Sequence, residues 1–163
     1  MIVSSDFIDA CVQSKERPDP EDFLLEDKEN EKKFNLKLKE MITRAKANKH
    51  KLLHQVAIYC TAEIMNGWET YKAIAEVNGA TFLVYRARGG ATIRPTKPED
   101  EEGPPEPVYL ISGPKESEKA LWPKFLAMAK RGNMEPRIVH SEWLLDCALS
   151  QRMKWDRKYL ASK

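Results

Sequence analysis

The thiols and imidazoles that could form a zinc site are few: Cys11, Cys60 and Cys147, with His50, His54 and His140. The cysteines are odd in number, widely spaced and without a CxxC pair, so the sequence predicts no zinc site, reduced thiols and an intracellular setting. Cys60 and Cys147 fall on apolar faces, where a thiol serves most simply as a small buried hydrophobe. His140 precedes the last predicted helix and reads as structural, with the capacity to donate to a partner. No GxSxG, HExxH, P-loop or GxGxxG occurs, and Gly89 and Gly90 run into Ala91 and Thr92, which make no phosphate cradle. No catalytic residue, metal or cofactor is therefore expected, and an enzyme is the remote reading.

A second chemistry is charge. The run Lys37, Lys39, Arg44, Lys46, Lys49 and Lys51 could contact nucleic-acid phosphate. Its positions lie opposite the apolar stripe of one helix, so a solvated face balanced by the acidic 16 to 31 segment is the favoured reading. The exposed aromatic residues that a single-strand binder interleaves with its cations are missing from the run. Net charge is only +2, but it is unevenly distributed. Residues 1 to 31 hold ten acids against three bases, and residues 32 to 54 one acid against eight bases.

These residues need elements to position them. The 163 residues, 42% hydrophobic and 32% charged, have the balance of a globular chain with room for one full core. No run approaches the roughly 18 apolar residues of a membrane span, and no secretory signal pattern opens the chain. From Asp27 to about His50, Phe34, Leu38, Ile42 and Ala45 recur at helical spacing. Upstream of Pro18 and Pro20, a shorter helix from Ser5 to about Lys15 is predicted to bury Phe7, Ile8, Cys11 and Val12. Downstream, strands are expected at Gln55 to Cys60, Thr81 to Arg86, Val108 to Ser112 and Arg137 to His140. Helices are expected at Gly67 to Asn78, Ser117 to about Arg131 and Ser141 to about Arg152, with Gly79 ending the first of them at φ above zero. The stretch from Gly89 to Pro107, with five prolines and five acids, reads as a disordered loop. Nearly all-apolar strands alternating with helices predict an α/β domain with a parallel sheet covered on both faces.

The two ends of the chain repeat each other. IVSSDFIDACVQS at 2 to 14 and IVHSEWLLDCALS at 138 to 150 align without gaps at an offset of 136, with five of 13 positions identical. The N-terminal copy is then the last strand and helix of another domain, and a lone strand and helix cannot bury their own apolar faces.

The VNGA turn at Val77 to Ala80, the apolar third strand and above all the signature IVHSEWLLDC, with Trp143, resemble the BRCT domain, an interaction module of DNA-damage proteins. The resemblance implies a three-layer α/β fold with a four-stranded parallel sheet. It divides the chain into the strand-helix tail of a truncated first repeat at 1–25, a helical linker at 26–54 and a complete BRCT domain at 55–163. Gly79, Trp143 and Cys147 become its structural core. The linker is most similar to that of fungal multi-BRCT scaffolds that bind phosphorylated histone tails.

In tandem pairs the family places the phosphate in the first repeat, held by a Ser or Thr after its first strand, a Gly N–H and a Lys on its second helix. In the complete repeat those positions are Thr61, Ala62 and about Pro123, with Lys119 and Lys124 out of register, so no phosphate-binding residue is expected in this chain. The second repeat supplies one wall of the inter-repeat peptide groove, which by position falls on Ile64, Met65, Asn66 and Ser141. Each also has a bland reading, Met65 as loop packing and Ser141 as a helix N-cap. Trp68 and Trp122 are candidates for a repeat-repeat interface.

The implied function is a non-enzymatic, nuclear scaffold module that recognises a phosphoserine peptide, with a phosphorylated histone tail favoured. Other DNA-repair proteins, and a second chain covering the truncated repeat, are the further partners implied. A DNA-binding module using the basic helix is the alternative.

Overall fold

The computed structural model describes residues 3–49, 51–86 and 104–161. Residues 89 to 103 of the stretch expected as a disordered loop lie outside the described residues, as does Ile2. The chain divides into two compact units, Met1–Ala47 and Asn48–Lys163.

The second unit is built on four strands: β1 (Ala57–Thr61), β2 (Thr81–Tyr85), β3 (Pro107–Ile111) and β4 (Glu135–Val139). All neighbours are parallel, in the order β2-β1-β3-β4. Three longer helices of this unit cover the sheet: α4 (Trp68–Val77), α6 (Trp122–Arg131) and α7 (Ser141–Ser150). Because successive side chains of a strand point to opposite faces, each central strand feeds two cores. Ile58 and Cys60 of β1, with Tyr109 and Ile111 of β3, pack with Tyr71 and Ala75 of α4 and Trp143, Leu144 and Cys147 of α7. Tyr59, Val108 and Leu110 point the other way, onto Phe125, Met128 and Ala129 of α6. The result is the expected three-layer α/β domain with its four-stranded parallel sheet. Gly79 follows the α4 C-cap Asn78 at φ 92°, a left-handed conformation that a side chain would strain.

The single helix expected from Ser117 to Arg131 is two, a one-turn α5 (Glu116–Lys119) and then α6. Pro123 has no N–H to donate back to Lys119, so it sits in the first turn of α6, where that loss costs nothing. Val77, expected on the apolar stripe of α4, is exposed.

The first unit contains α1 (Asp6–Ser14), a 3-10 turn at Pro20–Phe23, α2 (Lys28–Phe34) and most of α3 (Leu38–Asn48). Here two expectations fail. The helix expected from Asp27 to His50 is broken, because Asn35 turns left-handed at φ 49° and the Leu36 N–H donates to the Glu31 carbonyl. The Glu31 carboxylate accepts from the Leu38 N–H at 2.7 Å, so one residue ends α2 and caps the start of α3. The second failure concerns α1, which buries none of its residues fully. Phe7 packs edge-to-face on Phe23, 5.6 Å between centroids, but Ile8 is 65% and Val12 74% exposed. No sheet of the first unit lies against that side of the helix among the described residues.

Candidate functional site

In a parallel α/β sheet the loops at the carboxyl ends of the strands carry function. Two such regions hold the expected residues. The loop after β1 runs through Thr61 to Gly67, and His140 with Ser141 follows β4. With β3 between them, their strands stand about 10 Å apart on one edge of the sheet.

Of the expected groove residues, Ile64 is buried in the core at 6% exposure and cannot line a peptide groove. Met65 is 73% exposed, and its carbonyl accepts from the Tyr71 hydroxyl at 3.1 Å, which ties the loop to α4. Asn66 is exposed at φ 71° and its carbonyl accepts from Thr70 Oγ1 at 3.2 Å. Ser141 is half-buried; the N-cap of α7 is His140, whose carbonyl accepts from the Trp143 N–H at 3.1 Å. Met65, Asn66 and Ser141 therefore remain outward-facing or partly so, beyond the ends of β1 and β4 with β3 between them.

The phosphate-equivalent positions are differently engaged. Thr61 is fully buried, and its hydroxyl donates a hydrogen bond to Oε1 of Glu118. The Gly113 N–H donates to the same oxygen at 2.9 Å. Ala62 and Pro123 are exposed, Lys119 pairs with Glu116 at 2.7 Å, and Lys124 is exposed. Glu118 went unseen in the sequence, where its ESEK setting reads as a solvated helix face; its 1% exposure is a tertiary outcome. Burial, and next the Glu118 charge, push the neighbouring Cys60 thiol up to about 12, and burial raises Cys147 as well.

Trp143 is fully buried, stacked on Tyr109, with its indole N–H donating to the Lys154 carbonyl at 2.9 Å. Trp68 is half-buried against the core, and the half-buried Trp122 donates from Nε1 to Ser112 Oγ at 2.9 Å. Among the basic side chains, Lys37 and Arg44 pair with Glu40, and Lys46 pairs with Glu21 at 3.2 Å. Half of the run thus pairs with acids on the solvent-exposed surface.

The terminal repeat is three-dimensional and longer than its sequence trace. Val3 bridges antiparallel to Leu24, and Val139 bridges antiparallel to Leu160, both pairs shifted by 136. The Ser4 N–H donates to the Phe23 carbonyl at 2.8 Å; the His140 N–H donates to the Tyr159 carbonyl at 2.9 Å. Ser14 Oγ donates to the Ala10 carbonyl at 2.7 Å, as Ser150 Oγ does to that of Asp146 at 2.6 Å. Both helices end on a left-handed residue, Lys15 and Gln151, and both return through a 3-10 turn. Strand, helix, cap and return are one unit of structure made twice.

The sheet order, the three layers and the Trp143-bearing last helix make the fold that of a BRCT domain. Among solved structures, the BRCT5-BRCT6 domains of S. pombe Brc1 match 97% of this chain and 70% of that chain, with 22% identity and a TM-score of 0.60. A complex of Rtt107p and a phosphorylated histone matches 98% of this chain and 64% of that chain, with 17% identity and a TM-score of 0.54. No protein-family model matches the sequence, and no curated protein matches it.

Proposed function

We propose that the chain is the C-terminal part of a tandem BRCT pair: residues 1–25 the closing strand and helix of a first repeat, 26–54 the linker, and 55–163 the complete second repeat. The pair acts as a non-enzymatic, nuclear interaction module of a DNA-damage scaffold and binds a phosphoserine peptide, its phosphate held by the first repeat. A phosphorylated histone tail is the favoured ligand, since the matched Rtt107p structure is a complex with a phosphorylated histone.

The observation that carries this reading is the duplicated strand-helix-return. Leu144 and Cys147 of α7 are fully buried by α4 and the sheet, whereas their counterparts Ile8 and Cys11 are 65% exposed and half-buried. The α1 face matches one that a BRCT sheet and first helix cover, and a like layer is what it would dock. Met65, Asn66 and Ser141 then form the second repeat's wall of the peptide groove.

The test is titration of a phosphoserine peptide into this chain and into a version extended at its N-terminus by one further repeat. Binding by the extended version alone supports the reading; tight binding by the chain as it stands places the phosphate site elsewhere. A dimer in solution would mean that a second copy covers α1.

A further inference from the structure

The strand order reverses between β1 and β3: β1 leads outward to β2 on one side, and the chain returns to β3 on the other. The loops leaving two such strands diverge and open the crevice where α/β proteins bind ligands. Here the crevice has a volume of about 280 Å³ and is lined by Thr61, Glu63, Tyr85, Arg86, Ser117 and Glu118, among others. Two donors from opposite sides converge on one oxygen at its wall, the Thr61 hydroxyl at the end of β1 and the Gly113 N–H just past β3. Convergent donors of this kind hold an anionic oxygen.

The oxygen they hold belongs to the chain itself. Glu118 reaches in from α5, and its Oε1 takes both bonds. Its Oε2 is buried without a hydrogen-bond partner, so the carboxylate occupies the site at a cost in solvation that an exposed glutamate on the same short helix would avoid. The approach depends on Gly113, where a Cβ would stand 2.5 Å from Oε2. A second anion entering the crevice would meet the charges of Glu118 and Glu63 against the single cation of Arg86.

We infer that this crevice is an anion site filled by the chain's own Glu118 carboxylate, which excludes phosphate for as long as that side chain is present. The inference is independent of the paired-repeat reading, because it concerns one complete domain and a free anion.

Inorganic phosphate is titrated at constant ionic strength while the amide resonances of Thr61 and Gly113 are followed. The unsubstituted chain and Glu118→Gln, whose amide oxygen keeps both bonds, are expected to show no saturable shift. Glu118→Ala, which frees the Gly113 N–H and leaves the Thr61 hydroxyl only a long 3.5 Å bond to the Ile111 carbonyl, is expected to show one saturating in the millimolar range. A saturable shift in the unsubstituted chain or in Glu118→Gln overturns the inference, and so does a folded Glu118→Ala that gives none. Glu118→Ser carries the same reading should the alanine variant not fold.

Discussion

The indole of Trp143 lies flat on the phenol ring of Tyr109, with 4.1 Å between centroids and 11° between planes. The stack joins the last helix to a central strand in the middle of one core, and the Tyr109 hydroxyl continues it outward by accepting from Arg137 at 3.0 Å. Replacing Trp143 with Ala empties the largest buried side chain of the domain and is expected to cost about 3 to 5 kcal/mol. A urea midpoint unchanged from the parent would contradict the stack's role.

The two copies of the closing helix should respond oppositely to the same change. Leu144→Ala removes a fully buried side chain and is expected to cost about 2 to 5 kcal/mol, whereas Ile8→Ala, on an exposed face, should stay within about 0.5 kcal/mol in this chain. In a chain extended by a first repeat, Ile8→Ala should become costly. Chemical denaturation of the three variants and their two parents reads this directly, and an equally large loss for Ile8→Ala in the present chain would show that α1 is already covered.

Thr61→Val deletes one of the two donors to Glu118 and leaves a buried carboxylate on the Gly113 N–H alone. The expected loss is about 1 to 3 kcal/mol. Gly113→Ala should destabilise through a different route, by pushing the carboxylate off the backbone N–H. Combining the two should cost less than the sum, because each breaks the same arrangement; additive losses in a double-mutant cycle would argue that the residues act separately.

Thiol reactivity should order the cysteines. Cys60, held at about 12 against an ordinary 9.0, has about a thousandfold less thiolate than a free thiol near neutral pH, and Cys147 is shifted the same way. A thiol reagent under native conditions is expected to label the half-buried Cys11 first. Mass mapping after brief labelling checks the order.

The same shift makes stability depend on alkaline pH. The folded chain keeps the Cys60 proton above pH 9, where the unfolded chain releases it, so the Cys60 contribution to stability is constant below about 9 and is lost as pH rises toward 12, by up to about 1.4 kcal/mol per pH unit. Cys60→Ala should lose that part of the slope between pH 9 and 10.5, measured by urea unfolding; an unchanged slope would exclude Cys60 as its source.

Much of the second unit was legible because its signals are local. Short apolar runs such as Tyr109 to Ile111 can satisfy themselves only inside a sheet, and Gly79 marks a helix end by backbone sterics alone. Other features were hidden by local signals that mislead. Phe34 and Leu38 continue a helical stripe straight across the left-handed Asn35, and nothing in that stripe shows that Glu31 will cap a second helix. The return segment escaped because residues 15–22 and 151–158 share no identities, so the in-register identity of Leu24 and Leu160 stands isolated from the rest of the repeat. Of the candidate groove, Met65, Asn66 and Ser141 could be placed by counting from strands; that Ile64 turns inward, and that Glu118 sits on Thr61, depends on packing between segments distant in the chain.

The antiparallel bridge of Leu160 to Val139 has a bearing on self-association. It runs along the outer side of β4, where the Ala161 N–H also donates to the Ile138 carbonyl at 3.0 Å, and so occupies hydrogen-bonding groups that another chain's strand would seek. Among the described residues, β2 is the opposite margin and has no strand beyond it. Edge-to-edge polymerisation of this domain would therefore have to start at Thr81–Tyr85, and shaving the chain back past Leu160 would open a second starting point.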